Sequence, residues 1–505
     1  MEKLSIEDMA VFCKRKGFVY PNSEIYGGFS GFWDFGHLGV ELKNNIKNEW
    51  WNYHVTQRED IVGIDGSIIT HPKVWEASGH VANFTDLMLT TKKTKTKIRA
   101  DQFIEEKLNI AADGLTSEEI NKLIKKHKLK HNGEDIEELK DFNLMFETSV
   151  GPDKGQTAFL RPETAQLIFT DFRLVVDNAR LKLPFGIAQI GKGFRNEISP
   201  RDFLFRCREF DMMEIEYFVH PDKDECPLIR EVLNYELNFY SAEMQEKGKK
   251  PLIMKVKDAL RRNMISEWHA YWLAVEQKWF TDLGAKSENF RVRQHLKKEK
   301  SHYALDTWDL EYNFPFGWKE LEGIANRTDF DLQQHMQASG KDLRIYDEET
   351  KDKIIPHVIA EPSLGVERAF LVFMFDAYVY DKKRDNVVLK LHPKLAPVKV
   401  AVFPLVSNKP QLTKKAIEVY NNLKKYFNVF YDESGSIGRR YARQDEIGTP
   451  LCITIDFDSI KKNDVTIRDR NSTKQIRVKI KDLGHKIWEY MNGVKFEKLG
   501  KTILK

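Results

Sequence analysis

The first apolar positions of the chain recur at helical spacing. Ser5 with Asp8 three residues on has the form of a helix cap, and Met9, Phe12 and Cys13 follow on one face. A second helical pattern covers residues 40–51, with Leu42, Ile46, Trp50 and Trp51 apolar, and a strand-like run over 61–69 leads to His71-Pro72. The pattern then changes. Residues 90–141 have almost no aromatics and carry Lys92, Lys93, Lys95 and Lys97. They include Ser117-Glu118-Glu119-Ile120 as the expected cap of a lysine-rich helix, and the stretch reads as an insertion on the surface. Short strands with turn signals such as Leu183-Pro184-Phe185-Gly186 return over 142–219. Residues 223–290, rich in Trp, Leu and Glu, read as a second, helical insertion.

A different rhythm begins at Leu395-Ala396-Pro397. Strands are expected over 398–405, 429–431, 451–455 and 465–467, and a helix over 412–427 with Ile417, Tyr420, Leu423 and Phe427 apolar. Strands alternating with helices at that spacing describe a compact α/β domain.

Composition narrows the class. With 505 residues, 41% hydrophobic, and 32 Phe and 17 Tyr, the chain has the aromatic content of folded domains, not of a disordered protein. Its formal charge of +4 excludes a uniformly basic nucleic-acid binder. The charge is segregated, however. Residues 397–505 hold 22 Lys and Arg against 12 Asp and Glu, a net +10 that leaves −6 for the remainder. The first residues carry acids where a signal peptide needs basic and then apolar ones. The longest apolar run, 369–380, is interrupted by Asp376 and is too short for a membrane span. Cys13, Cys207, Cys226 and Cys452 are scattered without a Cys-x-x-Cys pair. A reduced, cytoplasmic protein with no membrane segment, disulfide framework or zinc site is expected.

Candidate chemistry lies in two runs. Gly191-Lys192-Gly193-Phe194-Arg195-Asn196-Glu197 contains a Gly-x-Gly that resembles a phosphate loop, a weak signal alone. Arg195 and Glu197, two apart on an expected strand, project from one face, although an isolated Arg-x-Glu is more often a buried ion pair. Glu361-Pro362-Ser363-Leu364-Gly365-Val366-Glu367-Arg368 opens an apolar helix through Ala369, Phe370, Leu371 and Phe373. Taken singly, it reads equally as a plain strand–turn–helix with an N-terminal glycine.

Together these runs resemble motifs 2 and 3 of the class II aminoacyl-tRNA synthetases, and the 40–51 helix with the strand ending at Pro72 resembles motif 1. Tyr26-Gly27-Gly28, the run from His71-Pro72-Lys73-Val74-Trp75 to Gly79-His80, Arg161-Pro162-Glu163-Thr164-Ala165-Gln166 and Gly317-Trp318-Lys319-Glu320-Leu321-Glu322 narrow it. Over essentially its whole length the chain resembles the homodimeric glycyl-tRNA synthetases. The resemblance implies an α+β catalytic domain (1–91 and 141–395), an antiparallel sheet with flanking helices. It also implies insertions at 92–140 and 223–290 and an α/β anticodon-binding domain at 396–505. The implied activity joins glycine to tRNA(Gly) with ATP and Mg2+, in a homodimer formed through motif 1.

The resemblance also assigns residues. Arg195, Glu197 and Arg368 would be catalytic. ATP would meet Arg195, Asn196, Glu197, Phe205, Arg206, Cys207, Arg208, Glu209, Phe210, Glu320, Leu321, Gly365, Val366, Glu367 and Arg368. Arg206 or Arg208 would take the outer phosphates, and Phe210 would stack on adenine. Glycine would meet Arg99, Glu163, Phe210, Asp211, Met212, Met213, Glu214, Glu361, Pro362, Ser363, Leu364 and Gly365, with Glu163 and Glu214 around its ammonium group. Glu320 and Glu361 would hold magnesium, because a hard cation between phosphates favours carboxylates. In the C-terminal domain Tyr441 would be available to unstacked bases, and Ser434-Gly435-Ser436-Ile437-Gly438-Arg439-Arg440 reads as a turn before a basic helix rather than a nucleotide loop.

Two departures stand out. Members of this family commonly carry a Cys-Lys-x-Cys-type segment where this chain has Thr90-Thr91-Lys92-Lys93-Thr94-Lys95, so lysine repulsion in place of a metal staple is expected there. His37 stands where Pro is common and reads as a surface residue at a helix start. Two rivals remain on sequence grounds: a prolyl or threonyl relative, against which Arg161–Gln166 and Glu361–Arg368 argue, and a synthetase-derived binder without catalysis.

Overall fold

The computed structural model describes residues 4–503 apart from 111, 113, 153, 154, 298, 300–303 and 349. Its central sheet has nine strands. In chain order these are β1 Ile61–Ile64, β2 Phe185–Phe194, β3 Glu209–Val219, β4 Glu236–Tyr240, β5 Leu252–Lys255, β6 Phe290–Gln294, β7 Asp306–Phe314, β8 Gly317–Asn326 and β9 His357–Gly365. They lie side by side as β5-β4-β6-β7-β8-β9-β3-β2-β1. Only β4–β6 and β2–β1 pair in parallel. The antiparallel sheet with flanking helices therefore has the expected class.

Helices α1 Ile6–Lys16, α2 His37–Trp51, α3 Ala165–Ala179, α4 Glu267–Asp282 and α5 Val366–Ala377 cover the sheet. Ser5 caps α1 as expected, accepting from the Asp8 N–H at 3.0 Å. α2 starts at His37, which is exposed. The strand expected over 61–69 stops at Ile64. In α4, 12 of 16 residues are buried, among them Trp268, Trp272 and Trp279, so the helix is apolar around its circumference and belongs inside. It packs behind β7, β8 and β9.

α4 corrects the reading of 223–290 as a helical insertion. Those residues also supply β4 and β5, which extend the central sheet. Leu237 and Phe239 are buried in strand alternation, a period-2 signal hidden by the Trp-rich stretch that follows.

The lysine-rich stretch forms its own small unit. Strands Lys97–Arg99, Thr85–Thr91 and Ile136–Asn143 and helices Ala100–Leu108 and Ser117–His127 enclose Leu89, Phe103, Ile104 and Ile120. The second helix is capped by Thr116, one residue before the expected position; its hydroxyl accepts from Glu119 N–H, and Glu119 accepts in return from Thr116 N–H at 2.8 Å. The turn after Thr91 is not left to lysine repulsion. Glu134 accepts from the N–H groups of Lys93 and Thr94 at 3.2 and 3.0 Å.

At the C-terminal end a six-stranded mixed sheet has its own core, from Val400 and Leu412 to Phe496 and Leu499. Its strands Val400–Pro404, Val429–Tyr431, Leu451–Ile455 and Asp464–Asp469 match the sequence reading, and the helix Pro410–Leu423 ends four residues early. Among the described residues no helix is long and apolar enough to cross a membrane.

Candidate active site

β2 ends at Phe194, so Arg195 and Glu197 leave the strand before they act; both still line one cavity of about 300 Å3. Gly191 and Gly193 lie inside β2 and form no phosphate loop. They face Met212 and Phe210 on β3, and a Cβ at Gly193 would come within 2.9 Å of the Phe210 ring. The glycines are there for close approach. Arg195 donates its Nε–H to Pro162 C=O at 3.1 Å and lies over the rings of Phe210 and Phe84 at 5.3 and 5.6 Å, which fixes its guanidinium before any ligand arrives.

The cavity also receives Arg99, Phe205, Arg206, Cys207, Met212, Glu320, Leu321, Ser363, Gly365, Glu367 and Arg368. Three polar atoms are buried there without a hydrogen-bond partner, Asp86 Oδ2, Glu197 Oε2 and Arg206 Nη1. Each has a charge partner: Glu197 Oε2 lies 3.7 Å from Arg206 Nη1 and 3.9 Å from Arg99, and Asp86 Oδ2 lies 3.1 Å from Arg99. Buried polar groups normally make hydrogen bonds, so a ligand's own groups have atoms to meet here. Arg368 stacks over Phe205 at 4.6 Å and donates to Glu320 at 3.0 Å. Arg99 is held by Asp86 and Asp101 at 3.1 and 2.8 Å and faces Glu197.

A second constellation lies in the sheet beside this cavity. Glu214 on β3 accepts from Thr164 N–H at 2.8 Å, from the Thr164 hydroxyl and from the Ser363 hydroxyl at 2.6 Å. Burial and the neighbouring Glu163 push its carboxyl up. Glu163 behaves oppositely: burial is overcome by His80, 3.2 Å away, and then by Arg327 and Gln166, which hold it well below the usual range. Arg327 ties the floor together, donating to both oxygens of Asp331 at 2.7 and 2.9 Å and to Glu361 at 2.7 Å. Two carboxyl groups with unlike environments thus lie behind the cavity, and Ser363, which bonds Glu214, is part of its lining.

Several expected contacts fall elsewhere. Glu361 and Glu320 do not share a magnesium site: Glu361 pairs with Ala325, five residues along β8 from Glu320, about 16 Å of strand, and is committed to Arg327. Among the described residues no three His, Cys, Asp or Glu are grouped to hold a metal. Arg208 is spent on the carbonyls of Glu197 and Ser30, so of these two arginines it is Arg206 that lines the cavity. Glu209 pairs with Lys192 at 2.8 Å, outside the cavity lining. Asp211 and Glu367 grip Lys43 at 2.6 and 2.5 Å, a structural trio joining β3, α5 and α2. Met213, Leu364 and Val366 are core residues, and Pro362, Asn196, Glu163, Glu214 and Glu361 are not among the cavity lining. Tyr441 packs against Phe403 and Arg468 with its hydroxyl on Thr454, so it offers no open platform, while Trp488 is 58% exposed. Ser436 caps the helix Ile437–Ile447, consistent with a turn before a basic helix.

Comparison with known proteins agrees with this geometry. Residues 146–377 match the tRNA synthetase class II core domain (G, H, P, S and T), and 399–490 match an anticodon binding domain. The glycine–tRNA ligase of Caldanaerobacter subterraneus subsp. tengcongensis is 46% identical over 95% of this chain and 96% of its own length. That of Staphylococcus aureus is 44% identical over 95% and 97%. The chain belongs to the glycine–tRNA ligases.

Within that family's core, sequence reasoning passed over Arg327, Asp331, Thr164, His80, Phe84 and Asp86. His80 and Thr164 lie inside the motif runs 71–80 and 161–166. Arg327 with Asp331 offered the one readable signal, an Arg and an Asp four apart at a strand-to-helix junction.

Proposed function

We propose that the chain attaches glycine to its cognate tRNA in two steps, forming an enzyme-bound glycyl-adenylate from ATP and then transferring glycine to the 3′-terminal adenosine. One observation supports the assignment of residues: Glu214 accepts from the Ser363 hydroxyl, and Ser363 lines the cavity in which Glu197 and Arg206 hold atoms without a hydrogen-bond partner. In the first step a glycine carboxylate oxygen attacks the α-phosphorus of ATP, and the bond to the bridging oxygen breaks as pyrophosphate leaves. The carboxylate is already ionised at neutral pH, so no general base is needed. Catalysis is alignment and charge neutralisation.

Arg195, fixed between Phe84 and Phe210, spans the α-phosphate and the glycine carboxylate in a way a lysine cannot. Glu197 accepts from the adenine amino group, Phe210 stacks on the ring, and Arg206 and Arg368 take the outer phosphates. Glu320, which lines the cavity beside Arg368, would hold the magnesium that accompanies ATP, and the cation's charge would offset that of the phosphates. Glu163 and Glu214 form an anionic cup that holds the ammonium group. The walls around them exclude larger side chains, because an unfilled methylene alone discriminates by only about 1–3 kcal/mol.

The +10 C-terminal domain serves the tRNA backbone. A homodimer is supported by β1 of motif 1, the terminal strand of the sheet, with Ile68 and Ile69 exposed just beyond it. The reaction belongs to the cytoplasm. ATP–pyrophosphate exchange across the amino acids tests the reading: exchange driven by glycine alone supports it, exchange driven by proline or threonine replaces the substrate, and no exchange reduces the chain to a binder.

A further inference from the structure

The floor of the cup holds more acid than an ammonium group needs. β3 carries glutamates at 214 and 216, two apart and therefore on one face. Glu214 lies opposite Ser363 on β9, and in the same register Glu216 falls opposite Glu361. With buried Asp331 and half-buried Glu163 these make five carboxyl groups in one neighbourhood, beside the guanidinium of Arg327 and the imidazole of His80. Five ionised carboxylates in that neighbourhood cost far more than one guanidinium and one imidazole return, so the cluster holds protons.

Hydrogen-bond donors decide where a proton sits. Glu163 has His80 and Gln166, and Glu214 has Thr164 and Ser363. Asp331 has two guanidinium nitrogens and Gln166, and Glu361 has Arg327. Glu216 is completely buried and neither of its oxygens has a hydrogen-bond partner. Burial, then Glu361, and with them Glu214 and Asp331, push its carboxyl well above the ordinary range against the pull of Arg327. Such a group costs stability, and an apolar side chain of similar size costs less. A costly, unpartnered polar group beside a binding site is the pattern expected when function, not folding, retains it.

We propose that Glu216 is a positioning residue for glycine: a neutral carboxylic acid set beside Glu214 and across from Glu361, retained for its dipole and its proton, and not a third anion of the cup. Its neutrality keeps the cup's charge matched to one ammonium group, and its dipole holds the neighbouring carboxylates in register. The inference rests on Glu163 and Glu214 being the ammonium site.

The test compares Glu216→Gln and Glu216→Met in glycine-dependent ATP–pyrophosphate exchange, with a melting curve for each. Glutamine keeps a neutral dipole of the same shape, so the glycine KM stays within about threefold of the parent. Methionine fills the space and removes the dipole, so the glycine KM rises at least about fivefold while the ATP KM stays within twofold and the melting temperature does not fall. An unchanged glycine KM in Glu216→Met assigns Glu216 a structural role and overturns the proposal. A rise in Glu216→Gln as large as in Glu214→Gln makes it an anion and overturns it equally.

Should Glu216→Met not fold, infrared spectra of the parent and Glu216→Gln decide. The carbonyl band of a protonated carboxylic acid is expected in the parent and lost in the variant, and no difference between them overturns the proposal. Glu163→Gln separates the two possible failures. An unchanged glycine KM there removes the cup itself, whereas a raised one beside an indifferent Glu216→Met removes only the role of Glu216.

Discussion

Replacing Glu214 by glutamine removes one negative charge from the cup, keeps an acceptor for the Thr164 N–H, 2.8 Å away, and lets the new amide donate to the Ser363 hydroxyl. At about 4 Å and an effective dielectric of about 20, an ammonium group and a carboxylate attract by about 4 kcal/mol. That is an upper bound here, because Thr164 N–H and the Thr164 and Ser363 hydroxyls already draw on the same carboxylate. Hydrogen bonds to charged groups are worth about 1.5–3 kcal/mol. A loss of about 2–3 kcal/mol is a glycine KM about 30- to 150-fold higher at 1.36 kcal/mol per decade. ATP meets other residues, so its KM moves less than about twofold by the same reckoning. Glu214→Ala adds the cost of leaving the Thr164 N–H and both hydroxyls without their acceptor, about 1–3 kcal/mol for a buried group, and lowers the melting temperature where Glu214→Gln does not. Initial-rate exchange with glycine and ATP varied in turn measures both constants. Glycine and ATP constants rising together, or a glycine constant that does not move in a folded variant, refutes the cup.

Arg195→Lys keeps a charge but loses the planar fork and the stacking on Phe84 and Phe210, so kcat for exchange falls at least about 100-fold; near-parental turnover would count against its bridging role. Arg327→Met strands Asp331 and Glu361 without their guanidinium and lowers the unfolding free energy by about 3–5 kcal/mol, read as an earlier urea midpoint. Burial pushes Glu361 up to about 8, with Arg327 pulling it down and Glu163 and Glu214 raising it further. A bound cation favours its ionised form, so the glycine KM falls as pH rises through about 8 and flattens in Glu361→Gln; a KM indifferent to pH over that window contradicts this. Removing residues 397–505, whose core is separate, leaves glycine-dependent exchange and abolishes tRNA charging.

Legibility followed the range of the interactions. The caps, the apolar faces of α1 and α2 and the strands of the C-terminal domain are set by residues a few positions apart, and the pattern located them. The motif runs located the cavity, because Arg195, Glu197, Arg206 and Arg368 arrive there from short local segments. What the pattern missed depends on partners far along the chain. Leu237 and Phe239 form a strand because β6 stands ready to pair with it. Arg208 was separated from Arg206 only by the carbonyls of Glu197 and Ser30, which nothing in the run Phe205–Phe210 announces.

The same limit explains the glutamates of β8. Glu320 and Glu322, two apart, read as side chains on one face. The register of β7 against β8 shifts between Leu310 and Glu311: Leu310 pairs with Glu322 and Glu311 with Glu320, so Leu321 is the extra residue of a β-bulge. The bulge sends the two carboxyls to opposite sides. Glu320 enters the cavity beside Arg368, while Glu322 shares a row with Leu364 and is fully buried, with burial and then Glu276 of α4 raising its carboxyl well above the ordinary range. Ser363, next to Leu364 on β9, points the other way, to Glu214. One inserted residue therefore decides which glutamate reaches the cavity, separating a carboxyl beside Arg368 from one that the interior encloses.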